Sequence, residues 1–380
     1  MDNSSDTDPI LIIGANARFL AENAGRHGHN VFVADYYGDV DTRASFKSRS
    51  VKRDGNGEFT LRSLVDLARG IKNSGIVYGP GFENDIFALT KLKELGPIIG
   101  CGIEAVRKSR DPETLLRSAR SWNFKYPSIR YEKVPSMKGK KWLAKPFAEM
   151  GGVNVRFADA TTAPGVFYQE YVEGLPSSAI VVSNGSECAV LGLTTQLIGD
   201  TAFGADNFRY SGNVFPHPFT NEAIGQATAI ADSLTLELDL KGLWGFDFIY
   251  NGEVVLIEIN PRPTAGTGVL SMGTWNDLLG LHIDGVSGKN SSIIIDPGPT
   301  GSYFAQSRVF AKEDSTFTGA EKWKAQGGRD IPEDGEFIPA GAPVLTVSAE
   351  DISYNGVIAK LHDKAKNVYN SLTPATATML

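Results

Sequence analysis

The sequence predicts a mixed architecture, α/β over its first third and α+β beyond, on three observations. Residues 10–105 alternate short apolar runs with helically spaced segments. From about 127 short strands follow one another, and two hairpins are marked by Asn-Gly pairs. After about 299 strands and loops lead to a last helix over 355–371. A strand–helix–strand rhythm makes right-handed parallel units, so 10–105 reads as a small doubly wound α/β domain. The boundaries drawn are 10–105, a central region 106–295 and a C-terminal piece 296–375. A chain of 380 residues is long enough for two or three domains.

The elements follow in order. Residues 1–9 are polar and acidic and read as an unstructured lead. ILIIGA (10–15) is a strand ended by glycine, 17–28 a helix and VFVAD (31–35) a second strand. A helix near 61–72, the strand GIVYG (75–79), a helix over 84–95 and the short strand PIIG (97–100) complete the first region. Asp111-Pro112 opens a helix over 111–121, with aspartate as N-cap and proline at the first helical position. The strands PSIRY (127–131), KWLAKPF (141–147), GVFYQEYV (165–172), SAIVVS (178–183) and ECAVLGLTT (187–195) come next. Asn184-Gly185 marks a hairpin between the last two. The polar, glycine-rich stretch 195–218 reads as a lid or substrate loop carrying Arg209 and Tyr210. Helices are expected over 221–236 and 270–285, with the strand APVLTVSAE over 342–350.

Composition narrows the classes. The net charge of −7 argues against broad nucleic-acid or anionic-membrane binding, which need a basic face. No apolar run approaches a membrane span, and the polar start is neither a signal nor a transit peptide. Cys101 and Cys188 are isolated and read as reduced thiols of a cytoplasmic protein. The dinucleotide fingerprint is absent after Gly14, and no P-loop or hydrolase motif occurs.

The sharpest chemistry lies in the hairpin LWGFDFIY–NG–EVVLIEIN. A two-residue turn at Asn251-Gly252 pairs Tyr250 with Glu253, Asp247 with Leu256 and Gly245 with Glu258. With side chains alternating faces, Asp247, Leu256, Glu258 and Asn260 share one face, the two carboxylates as diagonal neighbours. Two carboxylates and an amide oxygen on rigid strands form a hard-oxygen site suited to Mg²⁺, with Mn²⁺ a possible substitute. Upstream, Lys145 stands in an apolar strand and has the point charge that binds phosphate. Gly151-Gly152 follows, a pair that lets backbone amides close on an anion.

The order of these features resembles the ATP-grasp superfamily. The resemblance rests on the Lys145 strand, the Gly151-Gly152 loop, the hinge Q-E-Y-V-E-G from Gln169 to Gly174, and D…E-x-N-P-R at Asp247, Glu258, Asn260 and Arg262. It implies an N-terminal pre-domain, a two-part nucleotide clamp with its lid near 125–175, and a C-terminal domain similar to that of biotin carboxylase-like and purine-pathway members. It implies ATP and Mg²⁺, with Lys145 on the phosphates and Gln169, Glu170, Tyr171 and Val172 on adenine. Glu173 or a neighbour would take the ribose. Asp247, Glu258 and Asn260 would hold the metal, and Arg262 the acyl phosphate or transferring phosphoryl group. Members carry an earlier basic residue near position 110; here Lys108 or Arg110 would fill it, and the motif does not choose. The hinge departs from many members by starting with Gln169 rather than glutamate.

The implied activity is ATP-dependent ligation of a carboxylate to an amine, both small molecules, with a homodimer allowed. The sequence is also similar to the tyramine–glutamate ligases of one-carbon-carrier cofactor synthesis. A bicarbonate-activating carboxylase and a nucleotide-binding module without turnover are the alternatives.

Overall fold

The computed structural model describes residues 7–132, 140–148, 151–158, 165–289 and 301–375. Most of the expected lead over 1–9, the boundary drawn at 295/296 and parts of the expected lid lie outside these residues.

Apolar runs at the start build a four-stranded parallel sheet in the order Lys47–Ser50, Val31–Asp35, Ile10–Ile13, Gly75–Tyr78. The chain winds outward from Ile10–Ile13 to one side and then crosses to place Gly75–Tyr78 on the other. This reversal opens a crevice beyond the strand ends, where ligands bind in such sheets. Gly14 and Gly79 let the two loops close there: a Cβ on Gly14 would stand 3.1 Å from the Gly79 Cα.

A seven-stranded antiparallel sheet dominates the rest, in the order Val254–Asn260, Lys241–Tyr250, Leu175–Asn184, Cys188–Ile198, Tyr210–Phe215, Tyr303–Phe310, Pro343–Asp351. On one face Trp244, Phe246 and Phe248 pack against Ala227, Ile230 and Leu234 of the helix Asn221–Leu238. Thr220 caps this helix by accepting from the Ala223 amide. The alternate residues Gly245 and Asp247 turn to the other face, which lines a cavity. A four-stranded antiparallel flap (Ile129–Arg130, Val166–Glu170, Trp142–Pro146, Arg156–Phe157) lies over that face. The helix Tyr354–Tyr369 buries Val357, Leu361, Ala365 and Val368 against Val309, Leu345 and Val347.

Several expectations change. PIIG forms only an isolated bridge, Ile76 to Ile98. Lys47–Ser50, too polar to read as a strand, pairs with Val31–Asp35 at the sheet edge. The helix expected over 270–285 is two, Gly266–Gly273 and Leu278–Val286. The 195–218 stretch is part strand: Cys188–Ile198 runs on into it and Tyr210–Phe215 pairs back, with a loop between them. Two strands beyond 299 extend the central sheet through Tyr210–Phe215.

The hairpin register also differs. Tyr250 pairs with Val254, not Glu253, so the loop holds three residues; a bulge at Ile257 then adds one more. The two extra residues bring Glu258 directly opposite Asp247 and Asn260 opposite Gly245, and turn Leu256 into the core. The three polar residues still share a face, in closer contact than alternation alone predicts.

Candidate functional site

A cavity of about 890 Å³ lies between the central sheet, the flap and the C-terminal ends of the parallel strands. Asp247, Glu258, Asn260, Lys145, Arg110, Arg262, Gly151 and Gly152 all line it, although they come from widely separated segments.

Asp247 and Glu258 face each other across the hairpin. Burial, then the Glu258 charge, push the Asp247 carboxyl up to about 8. Burial alone would raise Glu258 too, but Lys145 and Arg110 outweigh it and hold the carboxylate below its ordinary range. Gln196 Nε2 donates to Asp247 Oδ1 at 2.9 Å, and Asn260 Nδ2 to Oδ2 at 3.3 Å. Opposed carboxyls that cannot both ionise in a buried site leave room for a divalent cation in place of the proton. Among the described residues no three His, Cys, Asp or Glu side chains cluster as a metal cage. By its chemistry the donor set of two carboxylates and the Asn260 amide oxygen fits Mg²⁺ that shares its remaining positions with water and phosphate oxygens.

Lys145 reaches Glu258 Oε2 at 3.5 Å and donates to Gln169 Oε1 at 3.2 Å. Gln169 is buried, and its Nε2 donates to the Ile257 carbonyl at 3.3 Å. It pairs with Ile129 on one side and Leu143 on the other. Gln169 therefore braces Lys145 and is paired on both sides within the flap. The Glu170 and Tyr171 amides are also engaged, with the Ser128 and Lys141 carbonyls at 2.9 Å each. Among the described residues the Val172 amide has no such backbone partner, and Val172 lines the cavity. The Glu170 side chain pairs with Lys140 at 2.7 Å. Glu173, expected with its neighbours near the ribose, is exposed and is not among the lining residues, though Val172 and Gly174 are; its carbonyl accepts from Asn251 Nδ2.

The two basic residues near 110 are placed differently. Lys108 lies in the last turn of Ile103–Ser109, exposed and away from the cavity, while Arg110 lines it. Arg110 Nη1 donates to the Ile259 carbonyl at 3.4 Å, and its buried Nε has no partner. Asp111 holds the following helix by accepting from the Glu113 and Thr114 amides. Gly151 and Gly152 have φ of 66° and 69°, and a Cβ on Gly152 would strike the Phe208 carbonyl at 2.1 Å.

Arg262 is held by a residue the sequence did not single out. Its Nε and Nη2 donate to Glu83 Oε1 at 2.7 and 2.5 Å, with Nη1 on the Pro263 carbonyl and Nη2 on Asn260 Oδ1. Both partners are buried. Burial would raise Glu83, but Arg262 keeps it ionised and below its usual range. With four contacts made, one of the five guanidinium N–H groups is left for a ligand. Glu83 and Gln196 lie outside the motif, and only long-range packing brings them to it.

The fold, with its flap closing on a central sheet over Lys145, Asp247 and Glu258, is that of a nucleotide-clasping enzyme. Residues 114–266 match the family model described as ATP-grasp domain. The chain is 28% identical over 270 residues to a tyramine–L-glutamate ligase of Methanocaldococcus fervens, covering 69% of this chain and 81% of that protein. It is 22% identical over 256 residues to a carbamoyl phosphate synthase large chain of Clostridium acetobutylicum, covering 60% of this chain and 24% of that protein, so it spans about a quarter of that relative's length. In fold it is similar to a biotin carboxylase of Campylobacter jejuni, with a TM-score of 0.70 at 14% identity over 96% of this chain and 91% of that one. Residues 114–266 thus match an ATP-grasp domain, and the chain is similar over most of its length to a ligase.

Proposed function

We propose that the protein is an ATP- and Mg²⁺-dependent, ADP-forming ligase that activates a small-molecule carboxylate as an acyl phosphate and joins it to an amine. The observation that carries this reading is the direct opposition of Asp247 and Glu258 beside Lys145, Arg110 and Arg262 in one cavity. Mg²⁺, when bound, supplies positive charge that neutralises the phosphates. Asp247, Glu258 and Asn260 would hold it. Lys145 and Arg110 would bind phosphate oxygens, the Gly151-Gly152 amides would close on them, and Val172 would meet the adenine edge.

The substrate carboxylate oxygen attacks the γ-phosphorus, and ADP leaves. Arg262, oriented by Glu83, would direct its remaining N–H to the acyl phosphate. The amine nitrogen then attacks the acyl carbon, loses a proton and displaces phosphate. Such chemistry needs positioning and charge neutralisation rather than a nucleophilic side chain.

A role in one-carbon-carrier cofactor synthesis is the narrower form of this reading, supported by the likeness to a tyramine–L-glutamate ligase. No helix of the described residues is long and apolar enough to cross a membrane, and Cys101 and Cys188 are free thiols. Both agree with action on small molecules in the cytoplasm. The test is an ADP-release screen with Mg²⁺ over pairs of carboxylates and amines. ADP release that requires both members of a pair supports ligation. Release with bicarbonate alone would favour carboxylation, and MgATP binding without any release would leave a nucleotide-binding module.

A further inference from the structure

The cavity extends past the metal end to where the parallel sheet meets the strands beyond 303, and three polar side chains there have no part in the chemistry above. Asp39, just before the helix Val40–Ser45, is 8% exposed and lines the cavity. Its Oδ2 has no hydrogen-bond partner, and among the described residues its carboxyl joins no salt bridge. Its electrostatic neighbours are Asp330, Asp35 and Asp41, all acidic. The buried arginine nearby, Arg18, is committed elsewhere: to Asp330 at 2.6 Å, Glu22 at 2.7 Å and Asp41 at 3.7 Å.

Arg308, on Tyr303–Phe310, lines the same cavity. Among the described residues its guanidinium makes no hydrogen bond and no salt bridge. Tyr37 lines it as well, lies within electrostatic reach of both Asp39 and Arg308, and has a hydroxyl without a hydrogen bond among those residues. A buried carboxyl without a partner is costly, and native structures retain few. Here an unpaired carboxyl and an unpaired guanidinium face one space with a phenol near both.

We propose that Tyr37, Asp39 and Arg308 bind the zwitterionic head of an α-amino acid, with its ammonium on Asp39, its carboxylate on Arg308 and the Tyr37 hydroxyl bridging them. An amine alone would leave Arg308 bare, and a carboxylate alone would leave Asp39 bare. The dipolar head satisfies both. Tyr36 and Phe59, whose ring centroids are 5.0 Å apart, give this end an aromatic wall that tolerates the ammonium. With both head charges engaged, the group that reaches the phosphates lies on the amino acid's side chain. The substrate class is thus an α-amino acid whose side chain bears a carboxylate or an amine. This inference rests on reading the cavity as a ligase site and adds the substrate class to it.

The test is calorimetric titration of the full chain, with MgADP present, using the common L-amino acids, their N-acetyl forms and their α-amides. At least one amino acid should bind. N-acetylation and α-amidation should each weaken it at least tenfold. Asp39→Asn should weaken the free amino acid at least tenfold and make N-acetylation cost nothing further. Arg308→Gln should do the same for α-amidation, and both variants should keep MgADP affinity. The proposal is overturned if no amino acid binds while MgADP does. It is equally overturned if a simple amine without a carboxylate binds as tightly, or if acetylation and amidation cost the same in the variants as in the wild type. Failure of MgADP to bind would sink the ligase reading alone, because the amino-acid titrations can be read without nucleotide.

Discussion

At one end of the cavity Asp247 and Glu258 oppose each other beside Lys145, Arg110 and Arg262; at the other, Asp39 and Asp330 line the cavity with Asp35 and Asp41 behind them, and Arg18 pairs with Asp330 and Asp41 but not with Asp39. Both ends crowd carboxyl groups away from water. They differ in the cations built around them. The first is rich in fixed positive charge, which suits it to arriving phosphates together with a metal ion. At the second, burial would raise the Asp330 carboxyl, but Arg18 outweighs it and holds the group well below its usual range, while Asp35, Asp39 and Asp41 are all pushed up. The surplus of acid there lacks a fixed cation, and a ligand's cation would supply one. The contrast shows that counting carboxylates says little about a site; which fixed cations stand behind them decides what it will bind.

Removing the cation that the acidic end shares is the severest test of this contrast. Arg18→Met leaves Asp330 buried without its partner and is expected to cost about 3–5 kcal/mol in urea unfolding. A loss under about 1 kcal/mol would mean that the acids there are neutralised in another way.

Next in size is a pH effect at Asp35. Burial, followed by the Asp330 and Asp41 charges, pushes its carboxyl up to about 7. In the unfolded chain it ionises near pH 4. The folded protein therefore binds the proton more tightly, and the stability this gives at low pH is lost as pH rises from about 4 to about 7. Asp35→Asn carries no such loss. It is expected to stabilise the protein on the order of 2–3 kcal/mol near pH 8, falling toward zero near pH 4, in unfolding curves at a series of pH values. A gain independent of pH would show that Asp35 is already ionised in the folded protein.

At the phosphate end, Lys145→Met is expected to weaken MgATP at least tenfold, about 1.4 kcal/mol, without changing amino-acid binding at the far end. Weakening of both ligands together would mean that the two ends do not act separately. The smallest effect is expected at the helix cap beside Arg110. Asp111→Ala should cost about 1 kcal/mol of stability, measured by denaturant midpoint, and leave amino-acid binding unchanged.

Much of the phosphate end was legible because its signals are local. Alternation with period two and the turn residues around 251 placed Asp247, Glu258 and Asn260 on one face, and the apolar setting of Lys145 pointed it at the same place. The Asp111-Pro112 helix start was read from cap chemistry and forms as expected. The acidic end was not legible. Asp39 and Arg308 lie far apart in the chain, and nothing in either neighbourhood refers to the other.

The sequence by itself determined the parallel strands Ile10–Ile13, Val31–Asp35 and Gly75–Tyr78, the hairpin with its three oxygen donors, and the glycines at Gly151 and Gly152. These depend on the period of the backbone, on turn conformation and on the absence of a Cβ, all properties of adjacent residues. Tertiary structure decided the rest: the three-residue turn and the bulge at Ile257 that set Glu258 against Asp247, Arg110 rather than Lys108 in the cavity, Glu83 behind Arg262, and Gln169 and Gln196 as braces for Lys145 and Asp247. Register and ion pairing between distant segments are settled by how whole sheets pack and by which charges end up sharing a buried space, and no window along the chain contains that.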